Sequence, residues 1–293
     1  MGISTSIKKK IGVLKEEYNH LSKGKEPLLK LINETELYES VFNSNAIENS
    51  TLTLRETEKI ILDREIPRNV SVREVFEAKN LARIMEYIES KKSKLVLSTE
   101  IILFLHKILL ENIDDSLAGR FRGKNEYVRV GSHIALAPEH VERMVEDILS
   151  EYTNNIKDHP VEKIAKFHMA FETIHPFLDG NGRMGRVIIN FQLNKIGFPN
   201  IIIRDKEKKT YYRSFREYNN LKTALTMENI LVLSLMESLN KRITYLKGRL
   251  IINLSKFAAI RNESLNSLIN KARRQTIPAF RERGVWKIGT DIK

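Results

Sequence analysis

The chain has 293 residues, 42% of them hydrophobic and 29% charged, with few glycines and prolines. That balance excludes a disordered chain and favours one elaborated, mostly helical domain, alone or with small appendages. Cysteine is absent, which excludes disulfides, thiolate metal sites and cysteine nucleophiles and leaves oxygen and imidazole as metal ligands. The net charge of +12 suits an anionic partner such as nucleotide, nucleic acid or an acidic membrane surface, but equally serves solubility. Without an apolar signal core or a bilayer-length apolar run, a cytoplasmic location with no membrane contact is expected. Met1-Gly2-Ile3-Ser4-Thr5-Ser6, with Lys8, Lys9 and Lys10 behind it, fits only the permissive pattern for glycine lipidation.

In chain order, capping boxes mark helix starts at Thr53 with Glu56 and at Ser71 with Glu74, where a hydroxyl and a glutamate three positions on satisfy opposite amides. Ser98 and Thr99 open a helix whose Ile101, Ile102, Leu105, Ile108 and Leu109 recur on one face. Between Asn125 and Leu136, apolar Val128, Val130, Ile134 and Leu136 alternate around Gly131-Ser132, which predicts a small β-hairpin. Pro138 suits the first turn of a helix with the stripe Val141, Met144, Val145, Ile148 and Leu149. Val161 to His175 is apolar all round and predicts a buried helix; Pro176 disfavours helical geometry at His175 and ends it. Val187 to Ile196 describes a second buried helix, stopped by Gly197 and Pro199. The loop between them is therefore held by two core helices, a place that suits a rigid functional loop.

That loop and the following turn read His175-Pro176-Phe177-Leu178-Asp179-Gly180-Asn181-Gly182-Arg183-Met184-Gly185-Arg186. Gly180, Asn181 and Gly182 at a helix start leave backbone amides bare, and with the helix dipole these make an anion cradle. Asp179 offers a carboxylate that can share magnesium with phosphate oxygens. Arg183 and Arg186, three apart on the new helix, can neutralise a polyphosphate. His175, with an ordinary imidazole pKa of about 6.5, can accept a proton from a hydroxyl near neutrality.

The run resembles the signature of the Fic family at every specified position: histidine-proline-phenylalanine, any residue, acid, glycine-asparagine-glycine-arginine, any two, arginine. The resemblance implies a protein adenylyltransferase that moves AMP from ATP onto a hydroxyl of a target protein, or of itself, with His175 as general base. Asp179 would hold magnesium, while Gly180, Asn181, Gly182, Arg183 and Arg186 would bind the phosphates. The related Doc kinases carry lysine where this chain has Gly182, which argues against phosphate transfer; transfer of UMP or phosphocholine stays open. The hairpin at Val128, Arg129, Val130, Gly131, Ser132 and His133 would be the family's flap, pairing its backbone with the target segment. Tyr211-Tyr212 and Asn219 resemble adenine-side residues. The fold implied is mainly α, a Fic-type helical core with a β-hairpin flap, an N-terminal helical region and a C-terminal helical or winged-helix-like appendage.

Upstream, Ser44-Asn45-Ala46-Ile47-Glu48-Asn49 resembles the family's inhibitory motif. Ser44 and Glu48 share a helix face, and the resemblance implies that Glu48 pairs with Arg186 where the γ-phosphate must go. In some relatives the same glutamate assists removal of AMP, so reversal is a second activity to weigh. The expected organisation is an N-terminal helical region over 1–95, a catalytic core over 96–235 and a basic appendage over 236–293. In the appendage, Ala272-Arg273-Arg274-Gln275-Thr276 is expected to begin a helix, with a wing near Trp286. A DNA-binding regulator acting through that segment is the rival reading, and a homodimer is also open. His133, His140 and His168 are read as structural or flap residues, because magnesium needs only oxygen ligands.

Overall fold

The structure is a computed structural model and describes residues 2–63, 65–67, 69–91, 94–130 and 133–291. Helix α1 (Thr5–Ser22) begins where the Ser4 hydroxyl accepts the Ile7 amide, and α2 (Glu26–Ile47) follows with proline in its first turn. At α3 (Leu54–Glu58) both halves of the expected capping box form between Thr53 and Glu56. At α4 (Val72–Lys91) only one half does: the Ser71 hydroxyl accepts the Glu74 amide at 3.2 Å. The Glu74 carboxylate instead turns back to the Thr51 amide and the Ser50 and Thr51 hydroxyls, tying the start of α4 to the exit of α2.

Ser98 caps α5 (Thr99–Leu110) as its position predicts. The hairpin is shorter than the alternation suggested, with β1 (Arg129–Val130) and β2 (His133–Ile134) antiparallel and Val130 opposite His133. Gly131 and Ser132, and the side chain of His133, lie outside the described residues. A 3-10 turn over Pro138–His140 leads into α6 (Val141–Asn154). Then come α7 (Pro160–Ile174), α8 (Asn181–Lys195), α9 (Lys208–Leu221) and α10 (Leu225–Leu246).

Two hydrophobic cores explain why α7 and α8 are apolar all round. Phe167, Phe171 and Ile174 of α7 with Met184, Val187, Ile188 and Phe191 of α8 pack on α4, α5 and α6. The opposite faces, Val161, Ile164, Ala165 and Met169 with Ile189 and Leu193, pack on α1 and α10. Buried on both sides, the two helices fix the loop between them, since close-packed interiors leave little room for drift.

A third, smaller core belongs to the C-terminal unit, in which β3 (Leu250–Asn253), α11 (Leu254–Arg261), α12 (Leu265–Arg273), β4 (Ala279–Glu282) and β5 (Val285–Thr290) follow in order. Its antiparallel sheet has the order β3-β5-β4, and the turn joining β4 to β5 forms a wing. The unit begins at Leu250: α10 crosses the boundary expected at residue 236 unbroken, because Leu235, Met236, Leu239, Ile243 and Leu246 stay in one buried face. Residues 272–276 end a helix rather than begin one. Ser264 caps α12, and Gln275 takes a left-handed backbone with φ 52° while its amide donates to Ala272 and Ala279 carbonyls.

The basic character expected of this segment is largely spent internally. Arg242 and Lys241 are buried in α10 against Glu36, at 2.6 and 3.0 Å. Arg281 donates to Glu237 and Glu207, and Arg283 pairs with Glu58. The wing turn also aims the amides of Arg283 and Gly284 at the Glu39 carboxylate of α2, each at 3.2 Å. Among the described residues no helix is long and apolar enough to cross a membrane.

Candidate active site

His175 ends α7 in a left-handed conformation, φ 52° and ψ 62°, as the following proline requires it to leave the helical region. Its Nδ1 faces the Glu172 carbonyl at 3.3 Å, an arrangement that directs Nε2 outwards when Nδ1 carries the proton. The loop is laced by Asn181, whose Oδ1 accepts the Phe177 amide at 2.9 Å and whose Nδ2 donates to the Phe177 carbonyl at 2.8 Å. With its side chain thus occupied inward, no side chain caps the start of α8, while the Gly180 amide turns to the Asp179 carboxylate. Gly180 sits at φ 85°, and a Cβ there would come within 2.8 Å of Leu109, so both conformation and space require glycine.

Asp179 and Arg183 do not stand alone. Arg183 Nη2 donates to Asp179 Oδ1 at 2.8 Å, Asp179 pairs with Arg73 of α4, Arg73 Nε donates to Glu77 at 3.0 Å, and Glu77 lies 3.1 Å from Arg183 Nη1. The four charges close a ring. Burial would raise the Asp179 pKa, but Arg183 and Arg73 hold it below the usual carboxylate value. The ring is not saturated: the Glu77 contact is off the line of a hydrogen bond, and Nε and Nη1 of Arg183 are buried without a hydrogen-bond partner among the described residues. Donors so placed beside an uncapped helix start fit a phosphate. A single carboxylate next to that cradle also fits magnesium, which keeps several waters and shares phosphate oxygens. No cluster of three or more His, Cys, Asp or Glu that could hold a metal ion occurs among the described residues.

Arg186 faces the other way, into α2. Its Nε donates to the Ser44 hydroxyl at 2.9 Å, and its Nη2 to the Ser44 carbonyl at 2.8 Å and to Glu48 Oε1 at 2.9 Å. A Cβ on Gly182 would clash with that same Glu48 oxygen, so the glutamate lies directly over the glycine of the anion cradle. Asn49, with φ 71°, ends α2 and accepts from Lys208 at 2.8 Å.

Of the adenine-side candidates, Tyr211 is core: it is 1% exposed and its hydroxyl meets His168 Nε2 at 2.9 Å. Tyr212 stands at the rim and donates to the Ile47 carbonyl at 3.0 Å. Asn219 Oδ1 accepts the Thr173 hydroxyl at 3.4 Å, two residues before His175. His168 is buried, which drives its pKa down to about 3; His140 precedes α6 as its N-cap residue.

Two positioning residues escaped sequence reasoning. Arg122, 3% exposed, donates Nε to the His175 carbonyl at 2.8 Å and Nη2 to the Ile174 carbonyl at 3.2 Å. The same guanidinium reaches the Glu126 and Leu136 carbonyls, so one side chain ties both stems of the hairpin to the histidine. His106 stacks on Phe177 with centroids 3.6 Å apart, accepts the Gly119 amide on Nδ1 at 3.1 Å and meets the Asp179 carbonyl with Nε2 at 3.0 Å. Burial lowers its pKa to about 4, so it is neutral. His106 lies among the apolar positions of α5, where a histidine is a detectable signal; Arg122 lies in a loop without periodicity and gives none.

Residues 96–193 match the family model described as the Fic/DOC family. The chain is 32% identical over 187 residues to the protein adenylyltransferase Fic of Drosophila willistoni, covering 62% of this chain and 37% of that protein. It is 31% identical over 217 residues to the protein of the same name from Nematostella vectensis, covering 72% and 50%. The chain therefore spans half or less of the length of these two curated relatives. A Fic domain containing signaling protein from Bacteroides thetaiotaomicron superposes with a TM-score of 0.74 at 26% identity, covering 81% of this chain and 97% of that one. Residues 96–193 thus form a domain of the Fic/DOC family.

Proposed function

We propose that this chain is a protein adenylyltransferase, transferring AMP from ATP to a hydroxyl side chain of a target protein. The observation that carries the reading is the position of His175 at the end of α7, across the loop from the uncapped start of α8, in a chain 32% identical over 187 residues to a protein of that name. The target hydroxyl gives its proton to His175 Nε2 as its oxygen bonds to the α-phosphorus, and the bond to the leaving pyrophosphate breaks. The Gly180 to Gly182 amides and Arg183 hold the phosphates, so catalysis is positioning and charge stabilisation. Asp179 would hold magnesium, whose chemistry is to neutralise phosphate charge. The β1–β2 backbone would align the target segment, held at the right height by Arg122.

In the free chain Glu48 occupies Arg186 and covers Gly182, which supports a resting state closed to a productively placed γ-phosphate. Incubation with ATP labelled at the α- or at the γ-phosphorus tests the reaction: transfer of only the α-label to protein fits AMP transfer, and transfer of only the γ-label overturns it.

A further inference from the structure

The carboxyl group of Glu172 has no task in the chemistry above, yet it stands immediately behind the base. It lies on α7 one turn before His175, with Oε2 4.0 Å from the imidazole Nδ1. Its Oε1 is buried and has no hydrogen-bond partner among the described residues. A buried, unpaired carboxyl is costly, and a glutamine or an apolar side chain would fill the same space at less cost. The neighbouring helix nevertheless makes room for it: a Cβ on Gly185 would come within 2.6 Å of Glu172 Oε1 and 2.8 Å of His168 Nδ1.

The groups facing Glu172 come from four helices. His168 and His175 share α7 with it, Arg186 faces it from α8, Glu48 from α2, and Tyr211 and Tyr212 from α9. Burial first, and then the like charge of Glu48, push its pKa up to about 8, while Arg186 pulls the other way. The group therefore changes charge within the range in which an imidazole base works.

We propose that Glu172 is a positioning residue for the base: its carboxyl backs the Nδ1 edge of His175 and, when ionised, strengthens the hold of the imidazole on the proton it takes from the target hydroxyl. The inference rests on the reading of His175 as that base. As the hydroxyl proton passes to Nε2, the ring becomes a cation, with the other proton still on Nδ1 facing the Glu172 carbonyl. A carboxylate 4.0 Å from that edge favours the cation over the neutral ring, so its effect appears in the transition state and not in the ground state. No bond to Glu172 forms or breaks.

The test compares AMP transfer by the Glu48→Gly protein with and without Glu172→Gln, at saturating ATP and magnesium, between pH 6 and pH 9. The expected ratio of the two rates grows with pH to roughly tenfold at the alkaline end, where a glutamate is charged and a glutamine is not. Because Glu48→Gly removes a like charge that raises the Glu172 pKa, the growth falls at lower pH than the parent's value implies. A ratio that stays constant across the range overturns the proposal, because a packing role lowers activity equally at every pH. Should Glu172→Gln not fold, Glu172→Ala answers the same question through the same ratio: growth with pH is expected again, and a constant ratio overturns the proposal. His175→Ala is run beside them. Full labelling by that protein would remove the base itself, an outcome distinct from a constant ratio between the other two.

Discussion

Arg186 and Glu48 are 138 positions apart in the chain, and Arg186 Nη2 donates to Glu48 Oε1 at 2.9 Å. The contact is anchored twice more, because Ser44 offers the same guanidinium its hydroxyl and its carbonyl. Only Glu48 can leave without unfolding anything, being about one-third exposed while Arg186 is buried. On the proposed reading the pair would be a latch on an otherwise fixed cleft.

Removing the latch is expected to change binding as well as turnover. Glu48→Gly frees Arg186 and the space over Gly182, and loss of a directional charged pair from a shielded cleft corresponds to roughly tenfold or more in ligand affinity. Calorimetry with a non-hydrolysable ATP analogue checks it. Equal affinity for both proteins would remove Glu48 from the account.

Arg73 holds the carboxylate on which magnesium would sit. Arg73→Ala is expected to lower the magnesium concentration needed for half-maximal analogue binding by about fivefold, the worth of about 1 kcal/mol from a half-exposed pair. Titration of magnesium at fixed analogue measures it, and a raised requirement would mean that Arg73 serves the nucleotide instead.

Arg122 ties the hairpin stems to the His175 carbonyl. Arg122→Ala is expected to slow AMP transfer by about 100-fold, the scale of a misplacement near 1 Å, while analogue binding through the α8 amides changes far less. Parallel losses in both measurements would argue for general unfolding.

Glu237 is buried between Arg204 and Arg281, at 3.1 and 2.6 Å. Burial alone would raise its pKa, but the two arginines hold it below the usual value. A carboxylate depressed in the folded state contributes stability above the unfolded value of about 4.3 and loses it as pH falls through the folded value. Glu237→Gln should cost about 3 kcal/mol near neutrality and remove that acid sensitivity. Thermal melts at pH 7 and pH 3 are expected to differ less for the variant than for the parent.

Much of this arrangement is legible in the sequence. The two all-round apolar helices, the stop at Pro176 and the signature between them fix where the anion cradle lies, since each is local chemistry. The Ser44 and Glu48 face was legible for the same reason. What could not be read is tertiary. Arg73 and Glu77 look like an ordinary i, i+4 surface pair until α4 is laid against the start of α8. Arg122 sits in an irregular loop, and the four acceptors of its guanidinium are all carbonyls that sequence cannot place. The C-terminal charges misled in the opposite direction: Lys241, Arg242 and Arg281 read as a basic surface and are buried against Glu36, Glu237 and Glu207. Tyr211 likewise reads as a ligand contact, but is taken up by His168 in the core.

The most direct measurement is incorporation of α-labelled ATP into protein by Glu48→Gly and by Glu48→Gly combined with His175→Ala, each folded and each supplied with magnesium. Strong labelling by the first and labelling at least 100-fold weaker by the second is the predicted result, in line with the scale of general base catalysis. Undiminished labelling after loss of the imidazole would contradict the placement of catalysis at the junction of α7 and α8.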